Sequence, residues 1–271
     1  MRPTHLAYMF SALTLIGSAT RDHIIPHIPP PPDTVEGIPA PPCDAALVIG
    51  DTFLQPTVYE NGPGITYIQV HGDETTGVPA AKRLINQYGG RLIQFPGNDR
   101  WLDFFHNEQE YRVDPNNIFS DRGRDATLRA WSFRYRASPP GEQQVVRAAV
   151  ARFATTFLEQ CAFSEASAII ALHNNPNEGQ TTFHRYQRTA RAAYRRGDVD
   201  NFTLVTTAGL FEYLRRKEVS VIHEDTEHAR HGSLSWWAAT HGIPYVNTEF
   251  QTGHLKEHAR ALESATEFFK E

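Results

Sequence analysis

Three short apolar runs in this chain each end on a histidine or a glutamate, and that coincidence restricts both the fold and the chemistry. Ile65-Thr-Tyr-Ile-Gln-Val70 leads into His71-Gly-Asp-Glu74, Ala166-Ser-Ala-Ile-Ile-Ala-Leu172 into His173-Asn-Asn, and Ile243-Pro-Tyr-Val-Asn-Thr248 into Glu249. Runs rich in β-branched and aromatic residues read as buried strands. Gly72 is expected to let the first of them turn sharply. Between and after these runs, apolar residues recur at helical spacing. Residues 77–88 carry Val78, Ala81, Leu84, Ile85 and Tyr88, closed by Gly89-Gly90, and residues 142–157 carry Val145, Ala149, Phe153 and Phe157. Further helices are predicted over 209–216, 234–240 and 255–269, and further strands over 45–49, 91–95, 202–206 and 219–222. This alternation predicts an α/β fold: a single domain with a mixed, mostly parallel central sheet and helices on both faces.

In an open α/β sheet the carboxyl ends of the strands share an edge, where ligands bind. His71, Glu74 and His173 then form a set of two imidazoles and a carboxylate with a fourth position open, the donor pattern of a catalytic zinc. Glu249 becomes a spare carboxylate beside it, suited to take a proton from water and hand it to a leaving amine. Any one of these residues has an ordinary alternative, satisfying strand-end backbone groups. The four together favour the metal reading.

His71-Gly-Asp-Glu74, Asp114-Pro-Asn-Asn-Ile-Phe119, Leu172-His173-Asn-Asn and Asn247-Thr-Glu249-Phe-Gln-Thr-Gly-His254 resemble, in order, successive motifs of the zinc carboxypeptidase superfamily. That group includes M14-type metallocarboxypeptidases and the succinylglutamate desuccinylase and aspartoacylase enzymes. The similar blocks span residues 65 to 254. The resemblance implies that His71, Glu74 and His173 bind one Zn²⁺ per chain and that Glu249 is the general base and acid. It also implies substrate contacts from Asn116. The chain departs from the pattern at Asn117, where the family carries an arginine that grips the substrate's carboxylate. An amide lacks the guanidinium's charge and two-pronged geometry, so Arg112, Arg122 or Arg124 is expected to substitute, with Arg122 and Arg124 as the candidates carried alongside Asn116 and Asn117.

Two regions are less regular. Residues 97–140 mix Trp101, Phe104, Phe105, Trp131, Phe133 and Tyr135 with charged residues, the composition of a pocket wall or of a cover for the sheet edge. Arg185, Arg188, Arg191, Arg195 and Arg196 read as one solvated helix face, or as a basic rim for an anionic substrate.

A formal net charge of −5 over 271 residues gives no reason to invoke nucleic acid or a membrane surface as partner. Residues 1–19 read as a signal peptide, with Arg2, an apolar stretch from Leu6 to Ile16, and small residues at Gly17-Ser18-Ala19. That stretch is too short for stable membrane insertion. A proline-rich linker follows over 20–43, including the run from Pro29 to Pro32, and the zinc hydrolase domain is expected over 44–271. A secreted or periplasmic location follows, in which Cys43 and Cys161 either pair or remain buried thiols. The combined expectation is a zinc-dependent hydrolase of an amide bond in a peptide, carboxypeptidase-like, with cell-wall stem peptides as a substrate class suggested by location. Two alternatives stay open: an N-acyl amino acid deacylase of the aspartoacylase type acting on an acylated amino acid, and a catalytically inactive peptide-binding module of the same fold.

Overall fold

The computed structural model describes residues 46–95, 97, 99–175, 182–227 and 232–270. The expected signal peptide, the proline-rich linker and Cys43 lie outside the described residues. Cys161 is fully buried and disulfide-bonded.

The first half of the chain runs β1 (Leu47–Ile49), β2 (Thr52–Leu54), β3 (Thr57–Glu60), β4 (Thr66–Gln69), α1 (Val78–Tyr88), β5 (Arg91–Gln94), β6 (Leu102–His106) and β7 (Gln109–Val113). A short 3-10 turn at Pro115–Asn117 precedes α2 (Asp121–Trp131), α3 (Phe133–Ala137) and α4 (Pro140–Gln160). The second half runs β8 (Ile169–Asn175), α5 (Thr182–Gln187), β9 (Ala190–Tyr194), β10 (Phe202–Val205) and α6 (Ala208–Arg216). It closes with β11 (Val221–Glu224), α7 (Leu234–Thr240), β12 (Tyr245–Gln251) and α8 (Leu255–Phe268).

The main sheet has eight strands in the order β3-β5-β4-β8-β12-β10-β11-β9. The central run β5-β4-β8-β12 is parallel, as is β10 with β11, while β3, β9 and the β12–β10 junction are antiparallel. The expected mixed, mostly parallel sheet is therefore present. Its two faces are covered separately. Ile68, Val70, Ile169, Ala171 and Tyr245 pack with Phe153 and Phe157 of α4 and Leu128 of α2. Tyr67, Ile170, Leu172 and Val246 pack with Leu84 of α1, Leu214 of α6 and Leu262 of α8. The alternation of 67 and 68, or 170 and 171, between the two cores is the two-residue period of a strand buried on both sides.

Several elements differ from expectation. The run at 45–49 forms a separate antiparallel hairpin of β1 with β2 rather than joining the main sheet. Residues 97–140 contain a second hairpin, β6 with β7, and two helices. Its turn is Asn107-Glu108, both with positive φ of 49° and 60°. Without the Asn-Gly or Asp-Gly that usually announces such a turn, the sequence hides it. On α4 the buried stripe is Val146, Ala149, Val150, Phe153, Ala154 and Phe157, while Val145 is 48% exposed; a stripe set through 149, 153 and 157 at 3.6 residues per turn includes 146 and excludes 145. The basic stretch from Arg185 to Arg196 is not one helix: α5 ends at Gln187 and β9 begins at Ala190. Among the described residues, no helix is long and apolar enough to cross a membrane.

Candidate metal centre

The site lies where β4, β8 and β12 deliver polar side chains to one edge of the sheet. β4 ends at Gln69, whose side-chain amide donates to the carbonyls of His71 (3.0 Å) and Gly72 (3.1 Å) and so holds the following turn. That turn is closed by the Glu74 N–H on the His71 carbonyl, with the Gly72 N–H on Asp99 O. Gly72 itself does not take a positive φ, so hydrogen bonding rather than glycine's backbone freedom makes the bend. His173 and Glu249 are not strand ends, as expected, but interior residues of β8 and β12, and they face each other in register. A parallel pair in register presents both side chains on the same face.

His71, Glu74 and His173 are all buried. Glu74 Oε2 lies 2.8 Å from His71 Nδ1 and 2.7 Å from His173 Nδ1. One donor atom from each residue falls within 4.8 Å of the others. Donors about 2.0–2.2 Å from a tetrahedral ion stand roughly 3.3–3.6 Å apart, so the two Glu74 contacts would open by less than about 1 Å around such an ion. The donor set therefore fits a metal.

The surrounding groups orient the ligands. Asp114 Oδ1 is 3.0 Å from His71 Nε2, the carboxylate–imidazole arrangement that fixes a ligating ring and raises its basicity. Asp114 is in turn held by the Asn116 N–H (2.9 Å), the Asn117 side-chain amide (2.9 Å) and Thr127 Oγ1 on its own N–H (2.7 Å). Asn116 Nδ2 stands 3.5 Å from His173 Nε2, and its Oδ1 accepts from the Leu234 N–H. Arg100 donates to Glu74 Oε1 at 2.7 Å and lies 3.8 Å from Asp114 Oδ2.

Burial, hydrogen bonding and neighbouring charge act against one another throughout this network. Burial pulls the His71 imidazole down, but hydrogen bonds and charge from Asp114 and Glu74 outweigh it and push it up to about 9. For Glu74, burial acts upward, yet His173 and His71 hold it well below the usual carboxylate range. Asp114 is likewise lowered by His71 and Arg100 against the effect of burial. Burial lowers Arg100, but Glu74, Asp114 and Glu249 together raise it.

A cavity of about 300 Å³ opens onto this cluster. His71, His173, Glu249, Asn116 and Asn117 all line it, together with Arg100, Asn247, Arg185 and Tyr186. The structure thus brings together six of the eight residues singled out from sequence: the three candidate ligands, Glu249, Asn116 and Asn117. It does not bring Arg122 or Arg124 to the cavity wall. Arg122 is exposed on α2, and Arg124 donates to Ile118 O and pairs with Asp121. Arg112 pairs with Asp103. Among the described residues, the arginines that reach the cavity are Arg100 and Arg185. Arg100 gave no sequence signal, because it sits in the irregular stretch before β6. The supporting role of Asp114 was within the Asp114-Pro-Asn-Asn block, and an acidic residue capping the turn that carries Asn116 and Asn117 was the available clue.

No protein-family model matches the chain, and no curated protein matches it. Among solved structures, the chain is similar to a succinylglutamate desuccinylase/aspartoacylase from Rhodobacter sphaeroides, at 15% identity and TM-score 0.39, covering 81% of this chain and 59% of that one. It is also similar to the cell shape determinant Csd4 of Helicobacter pylori, solved with a bound tripeptide, at 12% identity and TM-score 0.43, covering 80% and 56%. The chain spans under two thirds of the length of these structures.

Proposed function

We propose that this protein is a zinc-dependent hydrolase of an amide bond, acting on a peptide in the manner of a carboxypeptidase. The observation that carries the reading is the convergence of the His71, Glu74 and His173 donors with the Glu249 carboxylate on one cavity, Glu249 lying in register with His173. His71, Glu74 and His173 would hold the ion, and what zinc supplies when bound there is Lewis acidity toward an amide carbonyl and toward water. Asp114 keeps the His71 ring in the orientation that presents Nδ1. Glu249 takes the proton from the attacking water and returns it to the leaving nitrogen. Arg100, fixed by Glu74 and Asp114, offers guanidinium N–H groups to the oxygen on which negative charge develops. The substrate's carboxylate falls to Arg185, a cavity-lining cation, in the role for which the sequence suggested Arg122 or Arg124.

The same centre would serve an N-acyl amino acid deacylase, and a substrate panel separates the two. Export is part of the proposal, supported by the signal-like residues 1–19 and by the disulfide at Cys161, a feature of oxidising compartments.

Glu249→Gln tests the reading. Turnover of peptide substrates should fall by roughly 10²–10⁴-fold while the metal content stays at the wild-type level. Unchanged turnover removes Glu249 from the chemistry, and loss of the metal makes it a ligand instead.

A further inference from the structure

Phe250 and Glu249 are neighbours on β12, so their side chains leave the strand on opposite faces. Glu249 lines the cavity beside the candidate metal centre. Phe250, which packs with Leu262 of α8 behind the sheet, lines a second cavity of about 350 Å³. The β9–β10 connection, the residues leading into β11 and the first turns of α8 form the walls of this cleft. Phe250, Val219 and Ala261 floor it, at 4%, 7% and 1% exposure. A concave apolar floor ringed by a few polar groups is the usual form of a small-molecule site.

Most of the polar groups in the walls are already engaged. Arg196 pairs with Glu218. Asp198 accepts from the Asp200 N–H at 2.9 Å and from the Gln251 side-chain amide at 3.2 Å. Asn201 Oδ1 accepts from the Gln251 N–H at 2.8 Å, which turns Asn201 Nδ2 toward His254 Nδ1 at 2.9 Å. An amide nitrogen only donates, so His254 Nδ1 accepts and the neutral ring carries its hydrogen on Nε2. Three lining groups keep capacity for a ligand: the His254 Nε2–H, the Glu257 carboxylate and the Arg260 guanidinium. Arg260 gives one N–H to the Lys217 carbonyl at 3.0 Å. Among the described residues none of the three has an ion-pair partner. Glu257 and Arg260 stand three residues apart on α8, one turn along the same face.

These groups specify a ligand by its chemistry. Two donors, one of them cationic, suit a carboxylate, and Glu257 suits an ammonium. The floor suits an apolar side chain. Two arginines line the cleft against three carboxylates, Asp198, Glu218 and Glu257, so a dianion such as phosphate meets surroundings of net negative charge. A zwitterion matches both signs.

We propose that this cleft is an accessory binding site for a free α-amino acid with an apolar side chain. The carboxylate lies on Arg260 and His254, the ammonium on Glu257, and the side chain on Phe250. The site is separate from the metal-side cavity and stands independently of the hydrolase reading. Its occupant touches β12 one residue from Glu249, on the opposite face of the strand.

Calorimetric titration of the full, zinc-supplemented chain tests this. The probes are leucine, leucinamide, which lacks the carboxylate, 4-methylpentanoate, which lacks the ammonium, and inorganic phosphate. Leucine should bind most tightly, with leucinamide and 4-methylpentanoate each weaker by about 5- to 20-fold, the low end for a charge-assisted hydrogen bond between partly solvated groups. Arg260→Ala and Glu257→Gln change exposed helix positions and should each weaken leucine by a similar factor with Tm unchanged. Glu257→Gln should leave 4-methylpentanoate unaffected, because that probe has no ammonium to lose; a general disturbance of the fold would weaken every probe alike. A wild type that binds no leucine, or that binds phosphate more tightly than leucine, overturns the proposal. So does a leucine affinity that both variants leave intact, which would put the amino acid elsewhere on the chain.

Discussion

Two histidines of this protein are equally hidden from water, yet one is favoured in its charged form and the other in its neutral form. His71 is 1% exposed and His258 0%. His71 meets the carboxylates of Glu74 and Asp114 and is pushed up to about 9. His258, on α8 behind the sheet, is brought down to about 3, first by burial and then by His173. Its surroundings are Phe250, stacked at 4.8 Å, and Gly77, where a Cβ would fall 2.6 Å from the ring. Its Nε2 lies 2.7 Å from Thr248 Oγ1, whose hydroxyl hydrogen goes to Ala171 O, so Nε2 donates and Nδ1 is left without a partner. Burial sets the cost of a charge in both places, and only at the sheet edge do carboxylates offset it. The edge is built to hold charge, whereas the α8 face is built to exclude it.

The largest expected contrast is in metal affinity. His71→Ala should weaken zinc binding by roughly 10²–10³-fold, taking one ligand's share of the ~10–16 kcal/mol of a structural zinc site as a guide. His258→Gln should leave it within about twofold of wild type, within the ordinary scatter of surrounding effects. Competition titration with a chromophoric chelator measures both; equal losses would erase the distinction between the two histidines. Next in size, Asp114→Ala should cost about 10- to 100-fold in zinc affinity by releasing the His71 ring. Full retention of affinity in that variant would show that the Asp114 hydrogen bond does not orient a ligand.

A smaller contrast lies in stability against pH. His71 has a folded value above its unfolded one, so in chelator-treated protein its contribution is fully present below about 6.5 and is lost as pH rises through about 9. His258 has a folded value below its unfolded one, so its contribution is present above about 6.5 and is lost as pH falls toward 3. Each limb should slope by up to ~1.4 kcal/mol per pH unit, read from denaturant midpoints. Zinc should abolish the alkaline limb, because a ligating imidazole is already unprotonated; His258→Gln should remove one proton's share of the acid limb only. An alkaline limb that persists with zinc bound would place the ion elsewhere.

The α8 face and the sheet edge also differ in how far the sequence revealed them. Helices α1, α6, α7 and α8 were legible because their apolar stripes repeat at helical spacing, and Gly89 closes α1 with a φ of 79°. β4, β5 and β10 were legible as apolar runs. β8 and β12 run further than expected, through His173 to Asn175 and through Glu249 to Gln251. Polar residues there looked like strand ends, but in register they are cavity-facing interior positions, which hydropathy cannot distinguish. The β6–β7 hairpin was hidden by its Asn107-Glu108 turn. At the site, residue type and spacing brought His71, Glu74, His173 and Glu249 forward. Arg100 and Asn247 depend on tertiary contacts, a guanidinium folded back onto Glu74 and an amide two residues before Glu249 on the same face. No local pattern in the chain encodes Arg100, and Asn247 entered only as the first residue of the Asn247-to-His254 block, without a role.

The central claim is that the charged edge exists to hold an ion, and zinc X-ray absorption on the purified, zinc-supplemented full chain tests it most directly. The expected result is one zinc per chain, coordinated by two imidazole nitrogens and a carboxylate at about 2.0–2.2 Å, with one imidazole missing from the spectrum of His173→Ala. A wild-type chain that takes up no zinc, or a coordination shell that His173→Ala leaves unchanged, would contradict it.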